Sequence, residues 1–267
     1  MKEVLLTALG VGGATVIGAA IGFIFKKISH KFSDIVLAFA AGIMLAAAIL
    51  GLIIPSFDYG YDIVSPFGLG DTINKLLAIG MVVLGVFAGA LCINLIDKLV
   101  PHLHGLVGVD IDGHNCEKES QINKVMLFVL AIAIHNLPEG IAAGVGFGTG
   151  NTEGALLIAG GIALQNIPEG MVIIAPMLSA GITPKRTFLC ALGTGLIEVV
   201  GTLIGYFAVS ISSYILPFAL AFAGGTMLYV VSDEMIPETH SHGAQRGATY
   251  SLLVGFCVML LMDVLLA

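Results

Sequence analysis

Eight long apolar stretches, each able to form a membrane-crossing helix, dominate the 267-residue chain. A helix needs about 20 residues to cross roughly 30 Å of hydrocarbon. Only 11% of the residues are charged, whereas an ordinary soluble domain has about 25%, so the chain cannot face water on all sides. We therefore predict an all-α polytopic membrane protein with a single transmembrane domain over residues 1–267. The predicted spans are 4–25, 34–55, 72–97, 123–147, 152–180, 185–210, 213–237 and 247–266.

The charges between the spans predict the orientation of the chain. Most basic residues lie in the odd-numbered connections, among them Lys26, Lys27, Lys31, Lys98, Lys118, Lys124, Lys185, Arg186 and Arg246. The even-numbered connections hold Lys75 with Asp58, Asp62, Asp71 and Glu153. Because basic residues concentrate on the cytoplasmic side, both termini are predicted to lie outside. The outer acidic residues either attract cations or are simply solvated.

Several classes of protein are disfavoured by what the chain lacks. The net charge of −7 provides no basic surface for nucleic acid. Three of the four cysteines lie in predicted spans and Cys116 lies in a predicted loop, which is not the pattern of a disulfide framework. No Gly-x-x-x-x-Gly-Lys-Ser/Thr phrase for a nucleotide is present.

A six-residue phrase occurs twice within the predicted spans. Residues 135–140 read His-Asn-Leu-Pro-Glu-Gly, and residues 165–170 read Gln-Asn-Ile-Pro-Glu-Gly. Positions i, i+3 and i+4 of a helix share a face, so the polar side chains of each phrase project together. If the two helices pack face to face, one imidazole, two carboxylates and three amides converge. These side chains are His135, Asn136, Glu139, Gln165, Asn166 and Glu169.

The carboxylates at these positions need neutralisation. A charged side chain at the bilayer centre costs about 2.5–3.5 kcal/mol on insertion scales, and Glu139, Glu169 and Glu198 are flanked by apolar residues. Pro138 and Pro168 each remove a backbone donor and leave a carbonyl group free. Imidazole with carboxylate and amide oxygens suits Zn²⁺, Fe²⁺, Mn²⁺ or Cd²⁺. Glu139 and Glu169 are placed to bridge two such ions.

Other interpretations of these residues are open at this point. A proton-relay protein uses the same ionisable residue types, although amide side chains do not titrate. An intramembrane metal-dependent enzyme is the second alternative, but the His-Glu-x-x-His signature is missing. A receptor or structural protein would leave the costly carboxylates without a purpose.

Two clusters near the predicted cytoplasmic face also carry metal-ligating residue types. The loop of about 100–123 holds His102, His104, Asp110, Asp112, His114, Cys116, Glu117 and Glu119. It is either a weak metal-holding tract or a solvated connection. A second cluster at the end of the seventh span either passes ions onward or consists of solvated charges. Its members are Asp233, Glu234, Glu238, His240 and His242.

On the strength of the two phrases, the chain resembles the ZIP (ZRT/IRT-like) family of divalent-metal transporters, and within it the GufA-type branch. The resemblance extends over essentially the whole chain. It implies eight spans, both termini outside, a histidine-bearing loop between spans three and four, and a binuclear metal centre at mid-membrane between spans four, five and six. It also implies alternating access, with spans one, four, five and six moving against the others.

The resemblance assigns ligands to two ion positions. The first would use His135, Glu139, Gln165 and Glu169. The second would use Asn136, Glu139, Asn166 and Glu169, completed by Glu198. Many ZIP members have histidine in place of Gln165, and glutamine is a poorer ligand for zinc, so a broadened metal preference is expected.

The expected function is therefore transport rather than catalysis. We predict a carrier that moves Zn²⁺ into the cytoplasm, with Cd²⁺, Fe²⁺ and Mn²⁺ as further substrates and no prosthetic group. The simplest location is a bacterial cytoplasmic membrane, and the resemblance is compatible with a homodimer.

Overall fold

A computed structural model of the chain describes residues 1–24, 29–106, 116–241, 243 and 245–266. Every regular element in these ranges is helical, and they contain no strand. The α-helices are α1 (Lys2–Ile24), α2 (His30–Ala46), α3 (Ile54–Val64), α4 (Asp71–Leu106), α5 (Cys116–Gly146), α6 (Thr152–Ser179), α7 (Pro184–Ile211), α8 (Leu216–Val230), α9 (Ile236–His240) and α10 (Gln245–Leu266).

Seven helical segments of the described chain are long and apolar enough to cross a membrane. These are Lys2–Ile24, Lys31–Phe67, Asp71–Ile96, Thr152–Ser179, Pro184–Ile211, Leu216–His240 and Gln245–Leu265. They do not include α5, which has 31 residues and carries the first phrase. The prediction of an all-α polytopic membrane protein is confirmed.

Two of the membrane-crossing segments contain a π-helical insertion. Residues Ala47–Ile53 join α2 to α3, and residues Val231–Met235 join α8 to α9. An Ile-Pro pair follows each insertion, at Pro55 and at Pro237. Because π-helical turns in proteins frequently mark functional sites, these insertions indicate that a functional site lies near them.

The helices are longer than the sequence pattern predicts. Helix α3 continues past Pro55 to Val64, so the predicted loop position of Asp58 and Asp62 is wrong. Helices α4 and α5 extend into the predicted loop of 100–123, and Cys116 is the first residue of α5. A helix can continue beyond an apolar run because its backbone hydrogen bonds are internal and its polar side chains can face water. Asp110, Asp112 and His114 lie outside the described residues.

A short turn sets the second phrase opposite the first. Gly150 has a positive φ of 76°, and the Asn151 side chain accepts a hydrogen bond from the Gly154 N–H at 3.0 Å, which caps the start of α6. The chain therefore reverses within a few residues. His135 lies eleven residues before the last residue of α5, and Gln165 lies thirteen residues after the first residue of α6, so the phrases begin at similar depths.

The helices pack in two groups. Helices α1, α5, α6 and α7 contact one another and form the first group, and α2, α3, α4, α8 and α10 form the second. The groups meet where α2 packs on α6 and α8 packs on α5. We call the end of the bundle that carries Lys185 the basic end, and the end that carries Glu153 the acidic end.

Small residues allow the helices of the first group to reach backbone contact, as is common in membranes. A Cβ atom added to Gly144 of α5 would lie 2.0 Å from the Thr202 carbonyl oxygen of α7. A Cβ atom added to Gly205 of α7 would lie 2.3 Å from the Ile141 carbonyl oxygen. The contact between α5 and α7 therefore depends on glycine at these positions.

We expect Gly144→Ala to destabilise the protein by about 1–3 kcal/mol, because the methyl group forces α5 away from α7. Gly193→Ala is the matched control, since a Cβ atom there meets no atom within 4 Å. Thermal unfolding of the detergent-solubilised protein measures both variants. Equal melting temperatures for the two variants would contradict the close contact.

Candidate metal centre

All seven predicted ligands are buried. The exposed fraction is 8% for His135, 5% for Glu169, 1% for Glu139 and zero for the remaining four. Three helices of the first group supply them: α5 and α6 carry the two phrases, and α7 carries Glu198. The structure thus brings the predicted ligands into one buried region, as the shared helix face predicts.

Glu198 is held by three hydrogen bonds. The Thr15 hydroxyl donates to Glu198 Oε1 at 2.6 Å, and the Asn166 Nδ2 donates to Oε2 at 2.6 Å. The Asn136 Nδ2 also donates to Oε1. Both asparagine side chains therefore turn their nitrogen atoms toward Glu198 and their oxygen atoms elsewhere.

Five buried oxygen atoms of the predicted ligands have no hydrogen-bond partner among the described residues. They are Oδ1 of Asn136, Oδ1 of Asn166, Oε1 of Gln165, and Oε1 and Oε2 of Glu139. The Gln165 amide interacts with the Glu139 carboxylate, but its Nε2 makes no hydrogen bond of ordinary geometry with a described residue. Unpaired buried acceptors are costly, and a divalent cation can satisfy several oxygen atoms at once. The donor set therefore suits a cation.

His135 links the first helical group to the second. Its Nε2 atom lies 2.7 Å from Oε1 of Glu234, which belongs to the π-helical insertion between α8 and α9. This insertion is the one that carries acidic residues, so its altered turn brings a carboxylate to a predicted ligand. The sequence placed Glu234 in a terminal cluster and gave no signal that it contacts His135.

A cavity of about 470 Å³ leads to the site from the basic end. Buried His135 and Glu169 line it, together with Asp233, Glu234, and the exposed Glu238 and Ser241. Ile158 and Ile162 precede the second phrase on α6, between it and the acidic end, and are buried with Met44 and Ala47 in the hydrophobic core.

The residues of the cluster predicted at the end of the seventh span lie in different places in the structure. Asp233, Glu234 and Glu238 line the cavity. His240 instead contacts its own helix and α10: Nδ1 lies 2.8 Å from the Ile236 carbonyl oxygen, and Nε2 lies 3.2 Å from the Thr249 hydroxyl of α10. His242 lies outside the described residues.

The predicted ligands are neighbours, but they do not yet surround a common point. Glu139 interacts electrostatically with Glu169 and Glu198, and Glu169 interacts with His135. Within the described ranges, no three His, Cys, Asp or Glu side chains are close enough to hold one ion. Glu198 is instead bonded to Thr15, and His135 to Glu234.

Comparisons with known proteins identify the family of this chain. The family model described as ZIP Zinc transporter matches residues 110–263, a range that includes both phrases and Glu198. Zinc transporter GufA of Myxococcus xanthus is 38% identical over 97% of this chain and 97% of its own length. Zinc transporter ZIPB of Bordetella bronchiseptica is 38% identical over 94% of this chain and 77% of its own length.

The similarity extends to animal proteins. Zinc transporter ZIP11 of Homo sapiens is 30% identical over 98% of this chain and 96% of its own length. The resemblance predicted from the two phrases is therefore confirmed. The chain belongs to the ZIP zinc transporter family.

Proposed function

We propose that this integral membrane protein carries Zn²⁺ and related divalent ions into the cytoplasm through a two-ion site between α5, α6 and α7. The observation that supports this site most directly is the set of five buried oxygen atoms on predicted ligands that have no hydrogen-bond partner in the described part of the chain. The relatives that cover nearly the whole chain are named zinc transporters, which supports Zn²⁺ as the substrate.

The two ions share a pair of bridging carboxylates. The first ion is held by His135, Glu139, Gln165 and Glu169. The second ion is held by Asn136, Glu139, Asn166 and Glu169, with Glu198. Two divalent ions bring four positive charges to three carboxylates, so ion binding neutralises these carboxylates and leaves one positive charge in excess.

Ion binding keeps the hydrogen bonds to Glu198 and replaces the contact between His135 and Glu234. The free Oδ1 atoms of Asn136 and Asn166 bind the second ion while their Nδ2 atoms still hold Glu198. His135 exchanges Glu234 for the first ion. Because oxygen and nitrogen ligands are replaceable one at a time, the ion is bound moderately and can leave, as conduction requires.

The cavity at the basic end is the route of release. Ions leave His135 and Glu169, pass Glu234 and Asp233, and reach the exposed end at Glu238. On the other side of the second phrase, Ile158 and Ile162 of α6 are buried in the hydrophobic core. Movement of the first helical group against the second would close one route and open the other.

The basic end faces the cytoplasm of a bacterial cell. This orientation follows from the basic residues of the odd connections and places both termini outside, with eight spans of which α5 is the fourth. The bacterial relatives support an inner-membrane location. The exposed apolar faces of α4 and α10 contact lipid, or a second copy in a homodimer.

The alternatives to transport explain less. If the chain were an intramembrane metal-dependent enzyme, its relatives would be expected to have the names of enzymes. The relatives are named transporters. A proton relay does not require the amide groups of Asn136, Gln165 and Asn166, whereas ion ligation uses their oxygen atoms.

Glu139→Ala and Glu169→Ala should each reduce zinc uptake into sealed proteoliposomes by at least about tenfold, since each removes a ligand shared by both ions. Glu153→Ala is the matched control, because Glu153 is an exposed glutamate of the first turn of α6. Uptake by both ligand variants at the level of the parent, with folding retained, would exclude this site as the route.

Gln165→His should raise the ratio of Zn²⁺ uptake to Mn²⁺ uptake, because imidazole suits zinc better than a neutral amide oxygen does. Competition between the two ions in the same vesicles measures the ratio. Gln245→His introduces a histidine at an exposed position and should leave the ratio unchanged. A Gln165→His ratio equal to that of the parent would argue against Gln165 as a ligand.

The orientation is tested by labelling in a background whose cysteines are replaced by serine. We expect a membrane-impermeant maleimide to label Glu153→Cys in intact cells, and to label Lys185→Cys only after permeabilisation. Both positions are exposed and lie at opposite ends of the bundle. The reverse labelling pattern would show that the proposed orientation is inverted.

A further inference from the structure

Helices α1 and α7 contact each other through one glycine on each helix, and the two glycines make equivalent contacts. A Cβ atom added to Gly12 would lie 2.3 Å from the Gly195 carbonyl oxygen, and one added to Gly195 would lie 2.4 Å from the Gly12 carbonyl oxygen. This reciprocal contact is what a local two-fold axis between the helices produces. The two glycines are 183 positions apart, and Thr15 and Glu198 have the same separation.

The same relation holds where α1 and α7 contact the two phrases. A Cβ atom on Gly170, the last residue of the second phrase, would lie 2.1 Å from the Thr15 carbonyl oxygen. A Cβ atom on Gly140, the last residue of the first phrase, would lie 2.3 Å from the Glu198 carbonyl oxygen. Thr15 therefore sits against α6 as Glu198 sits against α5.

One turn further on, the correspondence continues. A Cβ atom on Gly18 would lie 2.1 Å from the Ile167 carbonyl oxygen, and one on Gly201 would lie 2.5 Å from the Leu137 carbonyl oxygen. Gly18 and Gly201 are again 183 positions apart, and Leu137 and Ile167 are 30 apart. The pair α1–α6 is thus repeated by the pair α7–α5.

The side chain of Thr15 differs from other buried threonines in its hydrogen bond. The hydroxyl groups of Thr194, Thr202 and Thr226 each bond a carbonyl oxygen of their own helix. The Thr15 hydroxyl instead crosses to α7 and donates to the Glu198 carboxylate at 2.6 Å. Both side chains are fully buried, so water does not compete for this bond.

We propose that Thr15 is a positioning residue of the ion site, the counterpart on α1 of Glu198 on α7, and that its hydroxyl orients Glu198 for the second ion. This inference rests on the proposed two-ion function. The other donors to Glu198 are Asn136 and Asn166, which are themselves ligands of that ion. Thr15 is the donor that holds the carboxylate without also binding the metal.

The proposal predicts that removal of the Thr15 hydroxyl weakens binding of the second ion only. Thr15→Val keeps the shape and removes the hydroxyl, and it should weaken binding of the second Zn²⁺ by about tenfold, since a hydrogen bond to a charged group is lost. Binding of the first Zn²⁺ should be unchanged. Thr15→Ser keeps the donor and should restore the second ion. Thr194→Val, which removes a buried hydroxyl bonded within α7, is the matched control.

Calorimetric titration of the detergent-solubilised protein with Zn²⁺ gives the two affinities, and zinc uptake into proteoliposomes gives the Michaelis constant and the maximal rate. Thermal unfolding confirms that each variant is folded. Thr15→Ala, which has no branched side chain to fit, provides the same comparison if Thr15→Val does not fold.

The outcomes separate this inference from the proposed function. If the parent binds two ions and Thr15→Val equals Thr194→Val in both affinities, Thr15 has no role at the site. Equal weakening of both ions, or a loss that Thr15→Ser does not restore, would mean a structural role and would also overturn the proposal. If the parent itself binds no zinc and transports none, the proposed function fails, and this inference fails with it.

Discussion

The burial of three carboxylate groups among apolar helices is the constraint on which the rest of the structure depends. Glu139, Glu169 and Glu198 are at most 5% exposed, and an unneutralised charge in such surroundings is costly. Hydrogen bonds stabilise Glu198, but both oxygen atoms of Glu139 have no partner among the described residues. In the proposed mechanism a divalent cation offsets the cost of this buried carboxylate, and the surrounding amide oxygens serve as further ligands.

The packing of the first helical group serves the same requirement. Glycine at the end of each phrase lets α6 approach α1 and lets α5 approach α7 until backbone atoms touch. These contacts bring Thr15 and Glu198 to the polar faces of the two phrases. Larger side chains at Gly140 or Gly170 would separate the helices and move Glu198 away from its asparagine partners. The same short phrases therefore carry both the glycines of the helix contacts and the proposed metal ligands.

The boundary between the two helical groups is where a contact of the site can be exchanged. His135 belongs to the first group and Glu234 belongs to the second, and they meet at 2.7 Å. The cavity between the groups reaches the basic end. An ion that replaces Glu234 at His135 would remove a bond between the groups, so binding and movement are coupled in the proposed mechanism.

The sequence by itself determined the class of fold and the candidate ligands. Apolar length specifies a membrane-crossing helix, and the spacing of polar residues within a helix specifies a shared face, so both are local properties of the chain. The family followed from the two phrases. The tertiary structure decided what depends on distant residues: the contact of His135 with Glu234, the cavity, the continuation of α3 past Pro55, and the bond from Thr15 to Glu198. Thr15 is an ordinary residue of an apolar helix until α1 packs against α7, because the partner that gives it a role lies 183 positions away.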